Sequence, residues 1–243
     1  MRVQLFLTCL GENFFSSKLQ DMVHVLERVG VAVAMPEGQT CCGKPFFNSG
    51  FVSQAVAPAR NFLRVFAPTD GYIIAPSGSC VDFVRHHLPE LFEGTRDHSI
   101  AQEVAACTFE FSEFLVRVLN VRDVGAIFPH KVTYHASCHA LRGLGLREES
   151  KILLRAVKGL ELVPLNEEET CCGFGGVFSV IYPEVSASMM HAKIANIQAS
   201  GAEFVVMGDP GCLMNIAGGL HKIGSPIRAL HTIQVLASNG GAR

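Results

Sequence analysis

This sequence predicts an α/β protein of two similar tandem domains, each a small parallel sheet flanked by helices. Three observations carry that prediction. A cysteine frame is written twice, as Cys9, the pair Cys41 and Cys42, and Cys80 in the first half, then as Cys138, the pair Cys171 and Cys172, and Cys212 in the second. The repeat period is about 130 residues, which suits a duplicated domain and exceeds the roughly 20–50 residues of a solenoid unit. Within each half, short apolar runs alternate with segments of helical period, the pattern of parallel strands joined by crossover helices.

The elements follow in the same order in both halves. Residues 2–8 are a β-type run ending at Cys9, and residues 17–29 carry apolar side chains at helical spacing. Residues 31–35 form a short apolar strand leading into the Cys41-Cys42 loop. Residues 52–66 read as a helix and 71–75 as a strand ending in the Pro76-Ser77-Gly78-Ser79-Cys80 turn. In the second half, 131–135 is a strand before Cys138, 160–165 a strand before Cys171, 183–199 a helix, and 203–207 a strand before Asp209-Pro210-Gly211-Cys212. The boundary falls within 120–130 and divides the chain into domains 1–125 and 126–243.

Every cysteine of the frame therefore stands just beyond the carboxyl end of a strand, the edge at which open α/β sheets bind ligands. Spacings of roughly 30–40 residues are what one strand-helix-strand return needs to come back to that edge. Gly43, Gly78, Gly173, Gly175, Gly176 and Gly211 let the backbone approach a bulky group and turn N–H groups toward sulfur. Four thiolates per half is the donor set of an iron–sulfur cluster or a zinc ion. Structural zinc sites use tight Cys-x2-4-Cys knuckles, unlike adjacent cysteines separated by long gaps, so zinc is the alternative and iron–sulfur the leading expectation. Buried small hydrophobes would not reproduce one spacing twice.

Composition narrows the class. About half of the 243 residues are hydrophobic and the formal net charge is −2. Without a Lys/Arg cluster the chain offers no phosphate-binding face, which excludes nucleic acid as a partner. The N-terminal apolar run is broken by Gln4 and Glu12 and reads as a strand, not a signal segment. No stretch of 18 apolar residues exists, so no transmembrane segment is expected. Nine cysteines without an export signal fit a cytoplasmic, reducing setting.

Outside the frame, Cys107 lies in a run with Phe109, Phe111, Phe114, Leu115 and Val118 and reads as the core of a helix. His135 and His139 bracket Cys138. Each is either a hydrogen-bond donor to a cluster sulfur from outside the ligand set or an ordinary capping or core histidine; Gly43 and Gly173 are assigned the same supporting position. The stretch Cys172-Gly173-Phe174-Gly175-Gly176 mimics a dinucleotide loop, but its glycine spacing does not fit Gly-x-Gly-x-x-Gly. The acidic run Glu167-Glu168-Glu169 reads as a solvated loop. Set near the second site, its charge would disfavour an added electron.

With these residues laid out, the chain resembles the cysteine-rich domain family named for its Cys-Cys-Gly motif. That family includes a component of heterodisulfide reductase, the iron–sulfur component of glycolate oxidase and the lactate-utilisation proteins. The stretches Gln39-Thr40-Cys41-Cys42-Gly43-Lys44-Pro45 and Tyr134-His135-Ala136-Ser137-Cys138-His139-Ala140-Leu141-Arg142 look most like the lactate-utilisation branch. The chain also lacks the Cys-x2-Cys-x2-Cys-x3-Cys-Pro segment of a glycolate-oxidase-type subunit. The resemblance implies a 4Fe-4S electron-transfer subunit, one cluster per domain, serving oxidation of a 2-hydroxy acid, L-lactate. It implies partner subunits too, among them a ferredoxin-type iron–sulfur protein. The chain would then be a component of an oxidoreductase complex, with no catalytic residue assignable. One alternative is a heterodisulfide-reductase-like subunit reducing a disulfide or quinone at a cluster. Another is a zinc-binding or metal-free structural partner.

The family motif usually ends in Cys-x-x-Cys, giving five cysteines per domain, whereas here the first of those positions is Ser77 in one half and Asp209 in the other. Ser77 and Asp209 are therefore candidate fifth ligands. Four thiolates satisfy a cubane; a five-ligand cluster would need the oxygen donor. Both descriptions stay open at this point.

Overall fold

The computed structural model describes residues 1–67 and 71–240. The first half runs β1 (Arg2–Leu5), α1 (Cys9–Phe14), α2 (Ser16–Arg28), β2 (Ala32–Ala34), α3 (Lys44–Asn48), α4 (Val52–Phe66), β3 (Tyr72–Ala75), α5 (Gly78–Asp82), α6 (His98–Ala106), β4 (Thr108–Glu110) and α7 (Phe111–Glu113). The second half runs β5 (Lys131–Tyr134), α8 (Glu149–Ala156), β6 (Glu161–Val163), α9 (Val177–Ile181), α10 (Pro183–Ala199), β7 (Phe204–Met207), α11 (Pro210–Lys222), β8 (Arg228–His231) and α12 (Thr232–Ala237). Each half builds one four-stranded parallel sheet, in the orders β2-β1-β3-β4 and β6-β5-β7-β8. The registers match: Val3 faces Val33 and Tyr72, and Val132 faces Leu162 and Phe204.

Local sequence accounts for these elements. In α2 the buried Leu19, Met22, Val25 and Leu26 return every three to four residues to one face. In α4, Ala55, Ala59, Phe62, Leu63 and Phe66 do the same. The central strand β7 is buried along its whole length, as a parallel strand covered on both faces must be. The run after Cys107 departs from the helical expectation. Cys107 ends α6, and Thr108, Phe109 and Glu110 pair with Ile73, Ile74 and Ala75 as β4 before the chain turns helical at Phe111. Phe109 and Phe111 alternate like a strand while Phe111, Phe114 and Leu115 repeat like a helix, so one apolar run serves two elements.

The halves are not separate beads. Val3, Leu5, Met22 and Leu26 of the first half share one core with Val132, Tyr134, Leu153, Ile233 and Leu236 of the second. The exchange is mutual: α12 packs on α2, and α7 with the turn after it packs on α8. The Arg28 guanidinium donates across this seam to the carbonyls of Leu236 and Ala237 at 3.2–3.3 Å, and within its own half to that of Val124 at 3.2 Å. Packing of this kind aims the carboxyl edges of both sheets at one place.

Candidate metal centre

The loops at those edges are built alike. Gln39 ties the Cys41-Cys42 loop to β1, accepting from Leu7 N–H at 3.0 Å and donating to Leu5 O at 2.8 Å. The glycine after each cysteine pair is left-handed, with φ +99° at Gly43 and +87° at Gly173. A Cβ at Gly43 would lie 2.8 Å from the Ala55 carbonyl oxygen, and one at Gly173 would lie 2.5 Å from that of Ser186. These glycines are thus required first by the close backbone of α4 and α10, where the sequence had suggested approach to a cofactor. At Gly173 the backbone N–H points to Cys171 Sγ at 3.4 Å. Cys80 and Cys212 sit in the first turns of α5 and α11, whose N-caps are Ser77 and Asp209.

The eight framed cysteines line one cleft together with Ser77, Asp209 and His139. Within each half the thiols form a chain of neighbours, Cys9–Cys41–Cys42–Cys80 and Cys138–Cys171–Cys172–Cys212. Charge alternates along both chains. Hydrogen bonds from Cys42 and Cys9 pull Cys41 down to about 3, and those from Cys138 and Cys172 pull Cys171 down to about 2. Cys42 beside it holds Cys80 below the usual thiol range, and Cys172 holds Cys212 at about 6. The donors shift in the opposite direction: Cys9 and Cys42 are raised chiefly by Cys41, and Cys138 and Cys172 chiefly by Cys171. In each half two thiols are thus favoured as thiolates and two are opposed, and ionising all four needs a positive charge among them. That donor chemistry fits a metal ion or an iron–sulfur cluster in each half.

Between the two sets, Asp209 bridges the halves. Its Oδ2 accepts from Ser77 Oγ at 3.2 Å and Ser79 N–H at 2.9 Å, and its Oδ1 accepts from Gly211 N–H at 3.0 Å. Burial opposes charge there, but Lys44 and the hydrogen bonds from Ser79 and Gly211 outweigh it and hold the carboxyl below the usual range. Ser77 Oγ also accepts from Cys80 N–H at 3.3 Å. His139 reaches Cys138 Sγ at 3.5 Å through Nδ1 and Asp82 of the first half at 4.0 Å through Nε2. His231 takes the Ile233 N–H on Nδ1, so its Nε2–H donates across the seam to Pro76 O at 3.1 Å. His135 does not line the cleft; it is fully buried behind the second thiol set.

Several neighbours escaped the sequence reading. Lys44 immediately follows Cys-Cys-Gly and faces the cleft, and Phe174 stands at the same position in the second half. Lys193 is buried in α10, with its ammonium donating to the carbonyls of Glu167 and Glu168. Two carboxylates of the acidic run meet a cation, Lys151 with Glu168 at 3.1 Å and Arg147 with Glu169 at 2.9 Å, and Glu167 accepts from Thr170. Only the place of Lys44 and Phe174 beside the motif was open to sequence reasoning; Lys193 looks like any helical lysine.

A family profile agrees with the doubled architecture. The sequence profile of the CCG cysteine-rich domain matches residues 3–85 and again 132–217. Lactate utilization protein A of Geobacillus thermodenitrificans is 44% identical over 97% of this chain and 98% of its own length. The protein of the same name from Exiguobacterium sp. is 46% identical over 96% of each. Among solved structures, an aspartate racemase homologue from Pyrococcus horikoshii aligns over 97% of this chain and 95% of its own with a TM-score of 0.33 and 12% identity. No described helix is long and apolar enough to cross a membrane. With the profile met twice at the two thiol sets, the chain belongs to the CCG cysteine-rich domain family.

Proposed function

We propose that this protein is an iron–sulfur electron-transfer subunit of a cytoplasmic system that oxidises L-lactate. The observation that carries this reading is the pair of four-thiol chains facing one cleft, in a chain similar over nearly its whole length to proteins named for lactate utilization. Cys9, Cys41, Cys42 and Cys80 would hold one 4Fe-4S cluster and Cys138, Cys171, Cys172 and Cys212 the other. Such clusters supply one-electron steps at potentials set by nearby charge and hydrogen bonds. The chain's own residues would seat them, exclude bulk water and orient the two groups toward each other. Electrons would enter from a partner that oxidises the substrate and leave to a ferredoxin-type subunit.

The test is anaerobic assembly with iron and sulfide, followed by iron and sulfide analysis and EPR of the reduced protein. Two clusters per chain support the reading; zinc alone, or no metal, overturns it. A second reading, reduction of a disulfide or quinone inside the cleft, draws on the polar groups Lys44, Ser79 and Asp209 between the thiol sets. Turnover of such a substrate by the reduced, isolated protein would favour it over simple electron transfer.

A further inference from the structure

Among the described residues, buried side-chain polar atoms without a well-formed hydrogen bond occur at His135, Ser137 and Thr232, and His135 is the one that can ligate a metal through nitrogen. Its side chain has no exposure, no oxygen or nitrogen partner reaches Nδ1 or Nε2, and the polar contact left to the ring is the Cys212 thiol. An imidazole sealed from water with only a thiol for a partner gives up strong hydrogen bonds to solvent for a weak one, so such a group in a folded protein calls for a better partner. Its neighbours name the partner. A ring nitrogen of His135 and the Sγ atoms of Cys172 and Cys212 all lie within 4.8 Å of one another. Two sulfurs and a nitrogen so spaced are a ready donor set for one metal atom.

Among the described residues the first half offers no such nitrogen–sulfur set. Phe6 occupies the equivalent place, with its N–H on Ile74 O at 2.9 Å as the His135 N–H is on Val206 O at 2.9 Å, and each residue precedes its strand-end cysteine by three. Phe6 is packed against Phe62 and can donate nothing. We infer that His135 is a direct metal ligand, so that the second-half site has a mixed sulfur–nitrogen donor set and the first-half site does not. This deepens the proposed function and rests on metal binding at these thiols. It also revises the expectation for His135 from a supporting hydrogen bond to coordination, and it leaves His139, which faces the cleft and Asp82, outside the ligand set.

The experiment compares the full-length protein with His135→Phe, which copies the first half, and with His135→Gln, in case the ring of Phe packs poorly. Each is loaded anaerobically with iron and sulfide, reduced, and examined by pulsed EPR for nitrogen hyperfine coupling. The expected result is a strongly coupled imidazole nitrogen in the parent, absent from both variants, whose first-half signal is unchanged. Clusters that assemble in the parent without such a coupling overturn the inference while leaving the electron-transfer reading intact. If no cluster assembles, that reading fails, and the inference is then judged with Co(II) alone. Ligand-field bands at the higher energies of a mixed sulfur–nitrogen site, moving in His135→Phe and His135→Gln to the pure-thiolate pattern, sustain it; identical spectra in all three proteins end it.

Discussion

In the first half Phe6, Phe62 and Cys42 belong to one apolar cluster, the two rings stack edge-on with centroids 4.9 Å apart, and the charge near the thiols comes from Lys44 on the cleft side. The second half inverts this. Lys193 stands seven residues along α10 from Ser186, as Phe62 stands seven along α4 from Ala55. Behind the thiols lie His135 and Lys193, and on the cleft side is Phe174. The backbone plan, the alternating charge of the thiols and the left-handed glycine are common to both halves. What differs is what lies behind the sulfurs, aromatic rings in the first half and an imidazole and a cation in the second. A duplicated framework can therefore deliver two thiol sets in the same geometry while the second layer of side chains gives each its own electrostatics. A buried cation stabilises added negative charge far more than one screened by water, so the second-half group should accept an electron at the higher potential.

The largest test of this division is Cys42→Ser against Cys172→Ser. Each should lose the metal of its own half and keep the other, leaving about half the parental iron, since each half holds a complete donor set. Total loss from either single change would mean that one group is shared across the cleft. Chelation of the parent should strip metal while leaving helical circular dichroism largely in place, because a large apolar core spans both halves away from the thiols.

Gly43→Ala and Gly173→Ala probe the framework the halves share. Each puts a Cβ at positive φ and against a helix carbonyl, at 2.8 Å in the first half and 2.5 Å in the second. A loss of about 2–4 kcal/mol is expected from conformation and overpacking together, greater at Gly173, as read by urea unfolding. Equal and negligible losses would show that both loops can shift. Lys193→Met then sharpens the inversion. It strands the Glu167 and Glu168 carbonyls, costing about 1–3 kcal/mol. It should also lower the second-half potential while the first-half potential stays put; an unchanged pair of potentials would remove Lys193 from the comparison.

The last strand of each half ends in a buried N-cap, Glu110 before α7 and His231 before α12. Each faces the other half: a Cβ on Gly208 would come within 3.5 Å of Glu110 Oε1, and His231 donates to Pro76 O. Burial raises the Glu110 carboxyl from 4.5 to about 8 and lowers His231 from 6.5 to about 4. Between pH 4.5 and 8 the folded protein keeps a proton that the unfolded chain gives up, so Glu110 makes stability fall as pH rises through that window. Between 6.5 and 4 the unfolded chain gains a proton that folded His231 refuses, so stability falls as pH drops. Glu110→Gln should flatten the alkaline limb and His231→Gln the acid limb in urea midpoints taken across pH. If each variant runs parallel to the parent, the two caps do not titrate as burial dictates.

Ser77→Cys and Asp209→Cys have the smallest expected effect. Both oxygens already serve as helix caps and bond to each other across the halves. A new thiol should alter the EPR and midpoint potential of its own half only if a fifth ligand position exists there. Spectra matching the parent would leave Ser77 and Asp209 as caps and four cysteines as the full ligand set.

Much of this was legible from the amino-acid order. The repeated cysteine frame fixes two α/β units, and helix periods placed α4 and α10 at their observed bounds, 52–66 and 183–199. Strand cores β1, β3, β5 and β7 were equally readable, since buried parallel strands are continuous apolar runs. The short outer strands β4 and β8 were not, because three or four residues carry too little periodicity to separate from the helix that follows. Sequence also named every framed cysteine, along with Ser77, Asp209, His135 and His139. Only the tertiary structure decided that both thiol sets face one cleft, that Asp209 ties Ser77 and Ser79 across the seam, and that His135 lies sealed behind Cys172 and Cys212 instead of lining it. The reason is physical. Ligand spacing is a property of one chain segment and its local return to a sheet edge, whereas burial, charge pairing and the partner of a buried imidazole depend on how distant segments pack, which no local pattern records.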